Sequence, residues 1–98
     1  MDFRFEWDPA KAQANVRKHG ISFEVAQLAF LDRFAIIEQD RIENEEVRWQ
    51  TLGMVGGALL LLVAHTIRDG EDDVEIVRII SARRATRTER RRYDEETR

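Results

Sequence analysis

The sequence predicts an α+β domain with an N-terminal helical hairpin, an antiparallel sheet of three to four main strands and an arginine-rich C-terminal helix. Three observations carry this. A helix-start signal at Asp8-Pro9 is closed by Gly20. From about residue 33 the apolar period changes from helical to strand-like. The stretch "VRIISARRATRTERRRY", residues 77–93, then turns from an apolar run into arginine, with a T-x-x-E capping pattern at Thr86 and Glu89.

Taken in order, "FRFE" alternates as a short strand does. In "WDPAKAQANVRKHG", Asp8 supplies an N-cap acceptor and Pro9 suits the first helical position. "ISFEVAQLAFLD" reads as a second helix capped by Ser22, with Phe23, Ala26 and Phe30 on one apolar stripe. A strand at 33–38 is followed by a Glu-rich loop, "QDRIENEE". "VRWQTLGMV" and "ALLLLVAHTIR" are strands flanking Gly56-Gly57, a two-residue hairpin signal. The acidic turn "DGEDD" leads to the strand "VEIVRIISA", and a helix from about Thr86 closes the chain. No repeat or low-complexity segment interrupts this order.

If Gly56-Gly57 is the whole loop, Val55 pairs with Ala58, and Arg48 then lies opposite His65 on one face of the sheet. An odd index sum in the next hairpin adds Arg78 to that face. Arg78 sits among Val74, Ile76, Ile80 and Ala82, where an apolar residue is expected, so it needs a partner or a ligand.

The totals bound the function. A chain of 98 residues is one domain, 1–98, and 43% hydrophobic with 36% charged residues describes a folded, soluble protein. No basic-flanked apolar leader opens the chain, and "ALLLLVA" is far short of the ~20 residues that span a bilayer, so a cytoplasmic protein is expected. The absence of cysteine excludes disulfides, thiolate chemistry and Cys-based zinc sites. The net charge is −3, yet it is polarised. Residues 78–98 hold eight arginines against four acids, while residues 1–77 hold eight basic and fifteen acidic groups.

Three groups of residues could carry chemistry. His65 exchanges protons near neutrality, and Arg48 and Arg78 can fork onto phosphate. The structural alternative is a satisfied core histidine and arginines paired with carboxylates. Lys11, Asn15 and Lys18 fall at i, i+4, i+7 on the first helix, beside His19; the alternative is its wet side. Six arginines within residues 83–92 exceed what local carboxylates neutralise, which favours a polyanion, or an acidic patch on a partner, over a merely solvated helix with Arg90–Asp94 and Arg91–Glu95 pairs. No phosphate loop, dinucleotide fingerprint, H-E-x-x-H, G-x-S-x-G or calcium-loop spacing occurs, and two distant histidines make a weak metal case. No cofactor is expected.

The stretches "FEWDPAKAQANVRKHGISFEVAQLAF", "HTIRDG" and "RIISARRATRTERRRY" closely resemble the BrnT family of bacterial type II toxins. Trp7, Asp8, Lys11, Asn15, Lys18, His19, Gly20 and Phe23 match its opening motif, and Arg78 to Tyr93 match its ending. The resemblance implies a RelE-like ribonuclease fold, metal-free RNA cleavage and arrest of translation. It also implies silencing by a BrnA-like ribbon-helix-helix antitoxin, in a heterotetramer that binds operator DNA through the antitoxin. The acidic total departs from the basic character common among such toxins.

Metal-free cleavage needs a base for the 2′-OH, cations for the phosphate and an acid for the leaving oxygen. On this reading His65 is general acid or base, and Arg78 and Arg83 hold the scissile phosphate. Arg48 assists, with Arg84 and Arg87 as further phosphate contacts. Lys11 or Lys18 supplies a second proton-transfer group or a phosphate contact, and Tyr93 stacks a base or donates a proton. The competing classes are a non-catalytic partner or nucleic-acid-binding module, and a degenerate toxin kept as antitoxin partner and co-repressor.

Overall fold

The computed structural model describes residues 2–97. The elements run β1 (Asp2–Glu6), α1 (Pro9–His19), α2 (Phe23–Ala26), a 3₁₀ turn (Gln27–Leu31), β2 (Ile36–Glu43), β3 (Glu46–Val55), β4 (Leu59–Asp69), β5 (Val74–Arg84) and α3 (Arg87–Glu96). The five strands form one sheet in the order β1-β5-β4-β3-β2. β1 runs parallel to β5 and the other neighbours are antiparallel. The expected antiparallel sheet of three to four main strands is therefore a mixed sheet of five.

The helix ends form as their residues dictate. The Asp8 carboxylate accepts the Ala10 N–H at 2.8 Å, and Gly20 closes α1 at φ 73°. Thr86 and Glu89 make the reciprocal capping box of α3. The second helix is shorter than expected. Ser22 caps a single α turn, which then tightens into the 3₁₀ turn. That tightening lays the Ala29 carbonyl against Gly53 of β3, where a Cβ would stand 2.3 Å from the oxygen.

β2 continues through much of the expected Glu-rich loop. It reverses at Asn44 and Glu45, both at positive φ (52° and 64°), so the connection is a two-residue turn. The Gly56 hairpin differs in the other direction. Val55 pairs with Leu59, leaving Gly56, Gly57 and Ala58 in the loop. His65 therefore faces Trp49, not Arg48. In β5 the register shifts between the Ala64↔Ser81 and His65↔Ile79 pairs, and Arg78 lies opposite Thr66. Arg48 and Arg78 thus lie on the face opposite His65, because side chains alternate along each strand.

Two apolar layers sandwich the sheet. On one face Phe23, Ala26, Ala29 and Phe30 pack on Leu61, Val63, Val77, Ile79 and Ala82. The expected stripe of the second helical segment is thus core, and full burial of Phe23 contributes about 1.5–3 kcal/mol. On the other face Tyr93 of α3 covers Leu52 and Leu60. α3 occupies one end of that face and leaves the other end open.

Candidate functional site

The open end of the α3 face is a groove of about 350 Å³ lined by Lys11, Glu46, Arg48, Thr66, Ile67, Arg68, Arg78 and Ile80. Lys11 reaches it because α1 lies along the edge of β5. Four cations and one carboxylate thus line one depression.

The arginines differ in how far their donors are committed. Arg68 forks onto Glu6 with two hydrogen bonds of 2.9 Å. Arg78 approaches the same carboxylate at 3.6 Å, and Arg48 approaches Glu46 at 3.7 Å and Glu43 at 3.9 Å. These longer contacts steady the guanidinium charge but exceed hydrogen-bond distance. Arg48 Nε is moreover buried with no hydrogen-bond partner. A buried donor left unpaired costs about 1–3 kcal/mol, and the nearest carboxylate oxygen, on Glu43, stands 3.9 Å away. Lys11 makes no ion pair among the described residues. Arg48, Arg78 and Lys11 are therefore the uncommitted cations of the groove. Arg68 holds Glu6 below the usual carboxylate range.

The remaining nominated residues lie elsewhere. His65 is fully buried, its ring edge-on to Phe30 with centroids 4.9 Å apart. Its Nδ1 lies 3.2 Å from the Thr66 carbonyl, which can only accept, so Nδ1 carries the proton. Nε2 then accepts from the Thr51 hydroxyl at 2.8 Å. Burial drives its pKa down to about 4, partly opposed by the Thr66 bond. It is a satisfied core histidine with no route to a ligand in the groove.

Tyr93 is also buried, and its hydroxyl donates to Asp32. Burial and then the Asp32 carboxylate push its pKa up to about 12, so its proton is held. Burial alone would raise the Asp32 carboxyl. The Tyr93 hydroxyl and the N–H groups of Met54 and Phe34 outweigh it and hold Asp32 low. Tyr93 docks α3 on the sheet and lies outside the cationic groove, lining instead a depression with Leu28, Leu31, Asp32, Phe34 and Met54.

Arg83 is consumed by Glu89, with hydrogen bonds of 2.8 and 3.0 Å, and so fastens α3 to the end of β5. Arg92 likewise forks onto Glu38 of β2 at 2.6 Å. Its helical partner is Glu96, and the Arg90–Asp94 and Arg91–Glu95 pairs do not form within 4 Å. Arg84 and Arg87 are exposed, and Arg87 lines a separate depression on the outer side of α3 with Arg90, Arg91, Asp94 and Glu95. Lys18 is exposed on α1, outside the groove lining. Asn15, expected on the wet stripe, is buried against β5. Glu46 and Arg68 are groove residues that sequence reasoning missed, and their charge alone did not mark them among so many ionic neighbours. Among the described residues no group of three or more His, Cys, Asp or Glu could hold a metal ion, and no helix is long and apolar enough to cross a membrane.

Fold and groove together define a small α+β protein with a cation-lined depression on the open half of a sheet face. The family model described as "Ribonuclease toxin, BrnT, of type II toxin-antitoxin system" matches residues 7–89, and the chain belongs to that family. Such a type II toxin implies an antitoxin partner. Among solved structures, it is similar to the 1.1 Å crystal structure of the Brucella abortus ribonuclease toxin BrnT. The TM-score is 0.64 at 21% identity, over 89% of this chain and 100% of that one, a likeness in fold. No curated protein matches the chain.

Proposed function

We propose that this ribonuclease toxin cleaves RNA without a metal in the groove between α1 and the open sheet face. The observation that carries the reading is that Lys11, Arg48 and Arg78 line one groove, and that the two arginines approach carboxylates only at 3.6–3.9 Å, beyond hydrogen-bond distance. Arg48 and Arg78 hold the scissile phosphate. Lys11 protonates the departing 5′-oxygen. Glu46, the carboxylate of the groove, accepts the 2′-OH proton. The 2′-oxygen then bonds to phosphorus as the P–O5′ bond breaks, leaving a 2′,3′-cyclic phosphate and a 5′-hydroxyl. On this reading His65, Tyr93 and Arg83 support the fold, while Lys18, Arg84 and Arg87 are outlying cations for the RNA backbone.

The scaffold is RelE-like, the setting is the cytoplasm, and RNA cleavage arrests translation. A BrnA-like ribbon-helix-helix antitoxin silences the toxin in a heterotetramer that binds operator DNA. The type II family membership supports this partnership.

Purified protein should cut RNA in excess EDTA. Arg48→Ala should lower the rate ~10²–10³-fold with the fold retained, and should lower the slope of log affinity against log salt by about 0.7. Cleavage that disappears with EDTA would overturn the metal-free mechanism, and native cleavage by Arg48→Ala would overturn the groove. Burial of His65 and Tyr93 favours a second reading, in which this chain serves only as antitoxin partner and co-repressor. Wild-type protein that binds the antitoxin but cuts no RNA would establish it.

A further inference from the structure

We propose that Asn15 is the positioning residue of the groove: its side-chain amide clamps α1 to the bare edge of β5 and so aims Lys11 at the Arg48–Arg78 pair. The proposal rests on the groove reading given above. β1 pairs with β5 only as far as Glu6↔Arg78, so the outer edge of β5 lacks a strand beyond that point. α1 takes the place of the missing strand. At Ala82 the Asn15 amide satisfies both backbone groups, Nδ2 donating to the carbonyl at 2.8 Å and Oδ1 accepting the N–H at 3.1 Å. Nδ2 also donates to the Ile21 carbonyl at 2.8 Å, which ties down the turn after α1.

One side chain thus fastens the helix to the sheet and to its own exit. Asn15 is 5% exposed, so these bonds are sheltered from water. Lys11 stands one turn upstream on the same stripe, four residues earlier, and is the α1 side chain that lines the groove. Its stem is long and mobile, and it makes no ion pair among the described residues. Its placement over the groove therefore depends on where the helix axis is held.

The chemistry requires an amide. Oδ1 takes one N–H while Nδ2 serves two carbonyls, so one acceptor and two donors are used together. Aspartate is isosteric but offers no donors when ionised, and it would face two carbonyl oxygens. Asn15→Asp should therefore loosen α1 without removing volume.

The test is a double-mutant cycle on the full chain, using single-turnover cleavage of an RNA oligonucleotide and binding of its 2′-deoxy analogue. Lys11→Ala should lower the cleavage rate ~10²-fold or more, and Asn15→Asp about 10–100-fold. Analogue binding by Asn15→Asp should stay within about twofold of wild type, because Arg48 and Arg78 remain in place. In the Lys11→Ala background Asn15→Asp should cost less than about twofold, since residues acting as a unit are not additive. Asn15→Ser, which keeps one donor and one acceptor, serves where the aspartate variant fails to fold, with the same loss expected. Full additivity, or native cleavage by both Asn15 variants, overturns the positioning role while leaving the groove intact. Native cleavage by Lys11→Ala removes Lys11, and Asn15's task with it. Loss in Arg48→Ala but not in Lys11→Ala would then show that the phosphate grip survives.

Discussion

His65 was the residue whose chemistry suggested proton transfer, and its burial converts that expectation into one about stability. Its pKa in the folded protein is about 4 against an ordinary 6.5. From about pH 7.5 upwards the imidazole is essentially neutral in both states, so it adds almost no pH dependence there. As pH falls from 6.5 towards 4, the unfolded chain takes up a proton that the folded protein refuses, and stability drops. The slope approaches about 1.4 kcal/mol per pH unit once the unfolded histidine is fully protonated, so the fold should lose about 1.6 kcal/mol between pH 6.5 and pH 5. The carboxylates held low by arginines or hydrogen bonds, Glu6, Asp32, Glu38 and Glu89, act further down, below their ordinary 3.8–4.5. They leave the upper window to the histidine. Urea denaturation followed by tryptophan fluorescence at pH 7.5, 6 and 5 measures the effect in wild type and in His65→Gln. The variant should be less stable at pH 7.5 because Phe30 loses its ring contact, yet nearly flat with pH. A wild type that is equally flat, or a variant with the same slope, would refute the buried neutral imidazole.

Two further outcomes follow from the packing. Tyr93→Phe removes the donor to Asp32 but leaves that carboxylate its two backbone donors, so stability should fall by about 1–2 kcal/mol with RNA cleavage unchanged. A tenfold loss of cleavage in folded Tyr93→Phe would return the phenol to the chemistry. Gly53→Ala drives a methyl to 2.3 Å from the Ala29 carbonyl, and thermal melting should show a loss of at least ~2 kcal/mol. An unchanged melting temperature would mean that the 3₁₀ turn is not seated on β3 as described.

What the sequence revealed and what it hid divides by the range of the interactions. Helix ends were legible because Asp8, Pro9, Gly20, Thr86 and Glu89 act on backbone groups within a few residues. Ala58 decided the faces instead. Its inclusion in the Gly56-Gly57 loop shifts the pairing sum by one and carries Arg48 away from His65. Hydrophobic alternation held the correct answer, since Leu61, Val63 and His65 must point the same way and the first two are wholly buried. A residue in that series is a core residue whatever its chemistry, which is why His65 packs against Phe30.

The arginines teach the complementary point. Arg83, Arg92, Arg68, Arg48 and Arg78 carry the same charge, and their sequence context does not separate them. What separates them is whether a carboxylate comes within hydrogen-bond reach, six residues on for Arg83 and in a distant segment for Arg92 and Arg68. Arg92 meets Glu38 across 54 residues and Arg68 meets Glu6 across 62, whereas the contacts of Arg48 and Arg78 stop at 3.6–3.9 Å. A cationic surface is thus partitioned by its anions, and on the reading proposed above the ligand site is the depression in which several half-paired cations meet. Arg48 shows this partition most sharply, since its Nε is buried without an acceptor while the nearest carboxylate oxygen, on Glu43, stops 3.9 Å away.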